Sequence, residues 1–196
     1  GIDIGTSSIA GVVLDSADKT IEIISRENDT EIESSETWEK LQNPSKILSY
    51  ILEILDEILI KYNDLGGIGI TGQMHGILYV DDKGDSVSPL YTWQDERGNL
   101  KYDGNSSYAD YLKRETGCNV SSGFGLVTHF YNLKNNIVPK DASKLCTIMD
   151  YVVMKLTGSN VPFIDNTLAA SLGFFDLINN EFLIGAMKKA GINSSI

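Results

Sequence analysis

The chain has 196 residues, 42% of them apolar, and a net charge of -11 from 27 acidic and 16 basic side chains. That length fits one large domain or one lobe of a larger protein, and the apolar share is enough for a core. So acidic a chain is not expected to take nucleic acid or an anionic membrane as its main partner. Phosphorylated ligands, held by local backbone dipoles and a metal, stay open. No apolar run approaches the roughly 18 residues of a spanning helix, and no signal peptide is visible. Cys118 and Cys146 are isolated and read as buried thiols, so a reducing cytoplasm is expected.

In chain order, the sequence opens on Gly1-Ile2-Asp3-Ile4-Gly5-Thr6-Ser7-Ser8. A strand at 2–4 carries one acid and turns through a glycine into three hydroxyl residues. Strand-like runs follow at 9–14 and 20–26, joined by a turn at Ala17-Asp18-Lys19. A hairpin tip of this kind offers backbone N–H groups and hydroxyls to phosphate oxygens. Asp3 beside it suits a hydrated Mg²⁺, which prefers carboxylate, water and phosphate oxygens. The same residues also make an ordinary hairpin turn. Residues 27–36 are acidic and polar and read as a loop. Asn43-Pro44-Ser45 starts a helix, with a capping asparagine and a proline in the first turn. Ile47, Ile51, Leu55, Ile58 and Tyr62 then share one face, widened by Leu48, Leu52 and Leu59. The stretch 63–67 stops the helix, and 68–71 reads as a short buried strand.

Three antiparallel strands, a helix and a further strand predict an α/β fold of ribonuclease H type, a mixed sheet flanked by helices. A Rossmann fold would alternate β and α from the start. Further on, 85–107 is loop-rich, and 108–115 and 128–136 read as short helices. Residues 143–157 form a strand then a helix, or one helix; 168–176 are small and apolar; 181–190 read as a final helix. Residues 1–196 are expected to form a single domain.

Two more segments carry polar chemistry. Gly72-Gln73-Met74-His75-Gly76 follows directly on the strand ending at Thr71, where residues line the ligand crevice of an α/β sheet. Gln73 and His75 both donate and accept hydrogen bonds, which suits a polyol, and the glycines permit close backbone approach. A plain glycine-bounded turn reads equally well. In Tyr91-Thr92-Trp93-Gln94-Asp95-Glu96-Arg97, the indole suits the C–H face of a sugar, while Asp95 and Arg97 can grip hydroxyls. The alternative is a salt-bridged loop around a core tryptophan. Asp150 and Asp165 read as capping residues.

Together these three segments resemble the FGGY carbohydrate kinases. The opening is similar to that family's first phosphate loop, Gly72 to Gly76 to its sugar-binding turn, and Trp93, Asp95 and Arg97 to its Trp-x-Asp-x-Arg segment. Ser122-Gly123-Phe124-Gly125, Met149-Asp150-Tyr151-Val152-Val153 and Ala169-Ala170-Ser171-Leu172-Gly173 resemble the sedoheptulose-phosphorylating members most closely. The resemblance implies the N-terminal, sugar-binding lobe of an actin-like, two-domain kinase using Mg-ATP. Asp3 would hold Mg²⁺ through water, and Gly5, Thr6, Ser7 and Ser8 would line the phosphates. Gln73, Met74, His75, Trp93, Asp95 and Arg97 would shape a ketose pocket, for sedoheptulose first and xylulose second. The general-base aspartate, which the family carries in a glycine-rich segment late in its first domain, would lie beyond Ile196, and a second domain would carry most of the adenosine site, so the chain alone would be inactive. A non-catalytic sugar-binding module and a homodimer stay open.

Overall fold

The computed structural model describes residues 1–17 and 19–192. Asp18, in the middle of the expected hairpin turn, lies outside the described residues. β1 (Ile2–Ile4), β2 (Ser8–Leu14) and β3 (Thr20–Glu27) form an antiparallel meander. Ile2, Ile4, Ile9 and Val13 are buried while Asp3 and Ser8 stay outside, as a side-chain period of two requires. The loop expected over 27–36 instead contains β4 (Glu31–Ile32), which pairs with β5 (Leu41–Gln42). A two-residue pairing is set by its tertiary neighbour and leaves no local pattern.

α1 (Pro44–Lys61) starts as expected: the Asn43 side chain accepts from the N–H groups of Ser45 and Lys46. Ile47, Ile51, Ile54, Leu55 and Ile58 are buried, each burial stabilising by about 1.5–3 kcal/mol. The helix lies so close on β2 that a Cβ on Gly11 would collide with Ile54. Leu52 and Leu59 do not widen the buried stripe but sit on its exposed flank. β6 (Ile70–Gly72) runs parallel to β1 and completes a sheet of order β3-β2-β1-β6. It begins two residues later than expected and is not a buried strand, since Ile68 and Thr71 are exposed.

β7 (Leu78–Val80) is buried on both faces: Leu78 and Val80 join the core under the sheet, while Tyr79 joins a second core. β8 (Leu90–Tyr91) pairs with β5. β9 (Lys101–Asp103) and β10 (Ser106–Ser107) lead into α2 (Tyr108–Thr116). α3 (Gly125–Lys134) starts three residues before the expected 128, because the Phe124 carbonyl accepts from the N–H groups of both Val127 and Thr128. β11 (Lys144–Cys146), antiparallel to β7, is followed by α4 (Ile148–Thr157). Asp150 makes a capping box with Thr147 on α4, and its burial pushes the carboxyl up to about 6. α5 (Asn166–Leu172) is capped by Asp165. β12 (Phe175–Asp176) pairs with β13 (Glu181–Phe182), so the last helix, α6 (Ile184–Ala190), starts later than the expected 181.

Candidate functional site

Between β1 and β2 the chain reverses over Gly5, Thr6 and Ser7. A Cβ on Gly5 would stand 2.7 Å from the Ser8 carbonyl oxygen, so only glycine fits. Buried Asn28 holds the turn from behind: its amide nitrogen donates to the Gly5 carbonyl (2.8 Å) and its backbone N–H to that of Ser7 (3.0 Å). The Asp3 carboxylate and the Ser7 and Ser8 hydroxyls are exposed and meet no partner among the described residues. The cross-strand neighbours of Asp3 are Ala10 and Thr71, neither of which neutralises its charge. A rigid turn with free oxygen groups and an unopposed carboxylate fits hydrated Mg²⁺ and phosphate.

Thr6 is the junction of the three polar segments. Its hydroxyl accepts from Trp93 Nε1 (2.9 Å) and donates to Gln73 Oε1 (3.4 Å). Gln73 Nε2 donates to Gln42 Oε1 (2.8 Å), and Gln42 Nε2 returns to the Thr6 carbonyl (2.9 Å). Gln73 and Gln42 are buried, and this closed ring fixes both amides. Gln73 therefore ties the second segment to the turn. A polar cleft of about 220 Å³ opens beside it, lined among others by Thr6, Ser7, Glu27, Lys40, Gln42 and Gln94.

His75 takes a left-handed backbone (φ 71°) and has its own set of partners, separate from Thr6's ring of bonds. Its Nδ1 lies 2.6 Å from the Ser171 carbonyl oxygen, and its backbone N–H donates to Ser171 Oγ (3.2 Å). Phe124 stacks on the imidazole at 4.6 Å. Gly76 and Gly125 keep the turn close-packed: a Cβ would meet the Tyr91 carbonyl at 2.7 Å or the His75 carbonyl at 2.9 Å. Met74 is exposed beside it.

The Trp93 segment divides in two. Trp93 is 47% exposed, whereas Asp95 and Arg97 are 1% and 0% exposed. Arg97 donates to Asp95 through Nε (2.6 Å) and Nη2 (3.0 Å), to Asn132 Oδ1 (2.6 Å) and to Glu39 (3.1 Å). Its guanidinium lies over the rings of Tyr91, Tyr131 and Trp38, 4.3, 5.3 and 5.5 Å away. Asp95 also accepts from the Lys40 N–H (3.1 Å). Asp95 and Arg97, expected to grip hydroxyls, are thus paired with each other in a buried scaffold beneath Trp93. The scaffold continues inward: Asn132 Nδ2 donates to the Tyr79 hydroxyl (3.2 Å), which meets His129 Nδ1 (2.8 Å). Among the described residues, His129 Nε2 is buried without a partner, and burial pushes this histidine down to about 4 and Tyr79 above the usual phenol range.

The structure thus brings Thr6, Gln73 and Trp93 into contact, leaves Asp3, Ser7 and Ser8 without a side-chain partner among the described residues, and sets His75 on a separate support. Sequence reasoning gave no role to Gln42, Asn28, Phe124, Ser171 or Asn132. Phe124 and Ser171 lie in segments already marked by family resemblance. Gln42 and Asn132 carry no local signal.

The FGGY family of carbohydrate kinases, N-terminal domain, matches residues 1–196. A sedoheptulokinase from Mus musculus is 31% identical over 97% of this chain and 44% of its own length. A xylulose kinase from Staphylococcus xylosus is 31% identical over 100% of this chain and 41% of its own length. The chain therefore spans less than half the length of these relatives. Among solved structures, a gluconate kinase from Lactobacillus acidophilus superposes with a TM-score of 0.82 at 22% identity, over 100% of this chain and 40% of that one. A ligand-bound xylulose kinase from the same organism gives 0.81 at 22%, with the same coverage. These likenesses show the expected ribonuclease H-like, actin-like fold. Among the described residues, no helix is long and apolar enough to cross a membrane.

Proposed function

Because the chain belongs to the FGGY carbohydrate kinases as an N-terminal domain, we propose that it is the sugar-binding lobe of an ATP-dependent ketose kinase. The whole protein moves the γ-phosphoryl of ATP to a hydroxyl of sedoheptulose, in the cytoplasm. The observation that carries this reading is the Thr6 junction, where the free phosphate-type turn, Gln73 and the exposed indole of Trp93 meet. A phosphate acceptor and a phosphate donor must meet in line, and the hydrogen bonds that join Gln73 and Trp93 to the Thr6 turn support that reading. Asp3 is the residue that would hold Mg²⁺ through water. The bound metal supplies charge neutralisation on the phosphates. Gly5, Thr6, Ser7 and Ser8 line the phosphates with N–H and O–H groups. Gln73, Met74, His75 and Trp93 shape the sugar pocket, with Asp95 and Arg97 positioning Trp93. The general-base aspartate comes from a glycine-rich segment late in the first domain, and a second lobe supplies most of the adenosine site.

The test is ADP release by the full-length polypeptide with Mg-ATP and sedoheptulose, xylulose, gluconate or glycerol. Sedoheptulose should give the highest kcat/KM. Xylulose is the second reading, favoured by the equal 31% identity to a xylulose kinase. Phosphorylation of neither ketose would overturn both, and binding without turnover would point to a sugar-binding module.

A further inference from the structure

We propose that Ser171 is a positioning residue: its main-chain carbonyl fixes His75 as the Nδ1–H tautomer, so that Nε2 offers only a lone pair to a ligand. The argument starts from α5. The last carbonyls of a helix have no partner within it, and the chain leaves α5 through two left-handed residues, Gly173 (φ 89°) and Phe174 (φ 58°). The Gly173 N–H returns to Ala170, and no backbone N–H among the described residues reaches the Ser171 oxygen. His75 Nδ1 stands 2.6 Å from it. A carbonyl oxygen only accepts, so the proton of this bond sits on Nδ1. In the neutral imidazole the other nitrogen is then an acceptor.

Three further features hold the ring in that sense. The Ser171 hydroxyl accepts from the His75 N–H (3.2 Å) and is itself oriented by donating to the Leu168 carbonyl (2.7 Å). These bonds support a positive φ that a non-glycine residue rarely adopts. Phe124, stacked at 4.6 Å with an interplanar angle of 11°, blocks rotation of the ring. His75 Nε2 meets no partner among the described residues and belongs to a half-buried ring. The other histidine differs: His129 is fully buried, and its free nitrogen faces no solvent.

For ligand choice this rests on the sugar-binding reading above. A lone pair at this point selects a hydroxyl, which can donate, over a methoxy group or a second acceptor, which cannot. His75 is then a selector of protonated oxygen, not a general donor.

The tautomer is read without any sugar, so it stands or falls apart from the sugar-binding reading. In the full-length polypeptide with ¹⁵N-labelled histidine, His75→Gln identifies the His75 signals. At a pH where the ring is neutral, the proton should be found on Nδ1, and on Nδ1 still in Ser171→Ala, which removes the hydroxyl but keeps the carbonyl. A proton on Nε2 in the wild-type protein, or a switch of tautomer in folded Ser171→Ala, would overturn the proposal. Sedoheptulose added afterwards should move the Nε2 resonance. An unmoved Nε2 with sugar bound would overturn the placement of the sugar and leave the tautomer standing.

Discussion

The β1–β2 turn and the Trp93 segment both carry acids that look suited to ligand chemistry, yet the fold treats them in opposite ways. Asp3 is exposed, with small neutral neighbours and no partner among the described residues. Asp95 is buried and satisfied by Arg97 and the Lys40 N–H. An acid whose charge is matched inside the fold has little left for a ligand, whereas an unmatched one keeps its full field for a cation. Among the described residues, the hydrogen bond that joins the two regions runs from Trp93 Nε1 to Thr6, so the buried network supports one exposed side chain against the turn.

The largest effect should follow from breaking the buried side of this comparison. Arg97→Met leaves the Asp95 carboxylate buried and uncompensated, and removes the cation from three aromatic rings. Stability should fall by about 3–5 kcal/mol, read as a lower midpoint in urea unfolding. A loss below about 1 kcal/mol would mean that the pair is not structural. The double variant with Asp95→Asn should lose less than the sum of the single losses.

Next comes the inner end of the same network. His129 has its folded pKa near 4 against an ordinary 6.5. Below pH 6.5 the unfolded chain takes up a proton that the folded chain refuses, so this histidine's contribution is whole above 6.5 and lost as pH falls toward 4. The loss amounts to about 3 kcal/mol. Asp150, raised to about 6 by burial, acts in the opposite sense, adding stability below 3.8 that is lost as pH rises through 6. Unfolding free energies of wild type and His129→Gln should therefore be compared at each pH. Their gap should narrow from pH 7 to 4, and a constant gap would show that His129 titrates normally.

On the open side, Asp3→Asn in the full-length polypeptide should lower kcat roughly 30- to 150-fold, about 2–3 kcal/mol of transition-state stabilisation. The KM for sugar should hold, and stability should stay within about 0.5 kcal/mol because Asp3 is exposed. Wild-type kcat in this variant would return Asp3 to the role of a turn residue. The smallest effect is set at His75. His75→Ala should weaken sugar binding by about 1–3 kcal/mol, the cost of an unmade buried hydrogen bond, or roughly 5- to 150-fold in Kd. Calorimetric titration with a thermal melt as control reads it.

Much of this was legible in the residues alone. The alternation of Ile2, Asp3 and Ile4, the Asn43-Pro44 start of α1 and the glycine-bounded turns each follow from local periodicity and backbone sterics, which act over a few residues. The three polar segments stood out for their residue types, which set what each can donate or accept. What the tertiary structure decided was which polar groups remain free. Asp95 and Arg97 looked like Asp3 in the sequence, but Asn132, Glu39 and the rings of Trp38 and Tyr131, all from distant segments, enclose them. Gln42 reaches Thr6 and Gln73 across 36 and 31 residues, and Ser171 reaches His75 across 96. β4 and β7 escaped notice for the same reason, since short strands take their identity from the partners they bury against. Hydrogen bonding and burial are pairwise properties: a residue's type sets what it can donate or accept, and the fold sets whether a partner is already there.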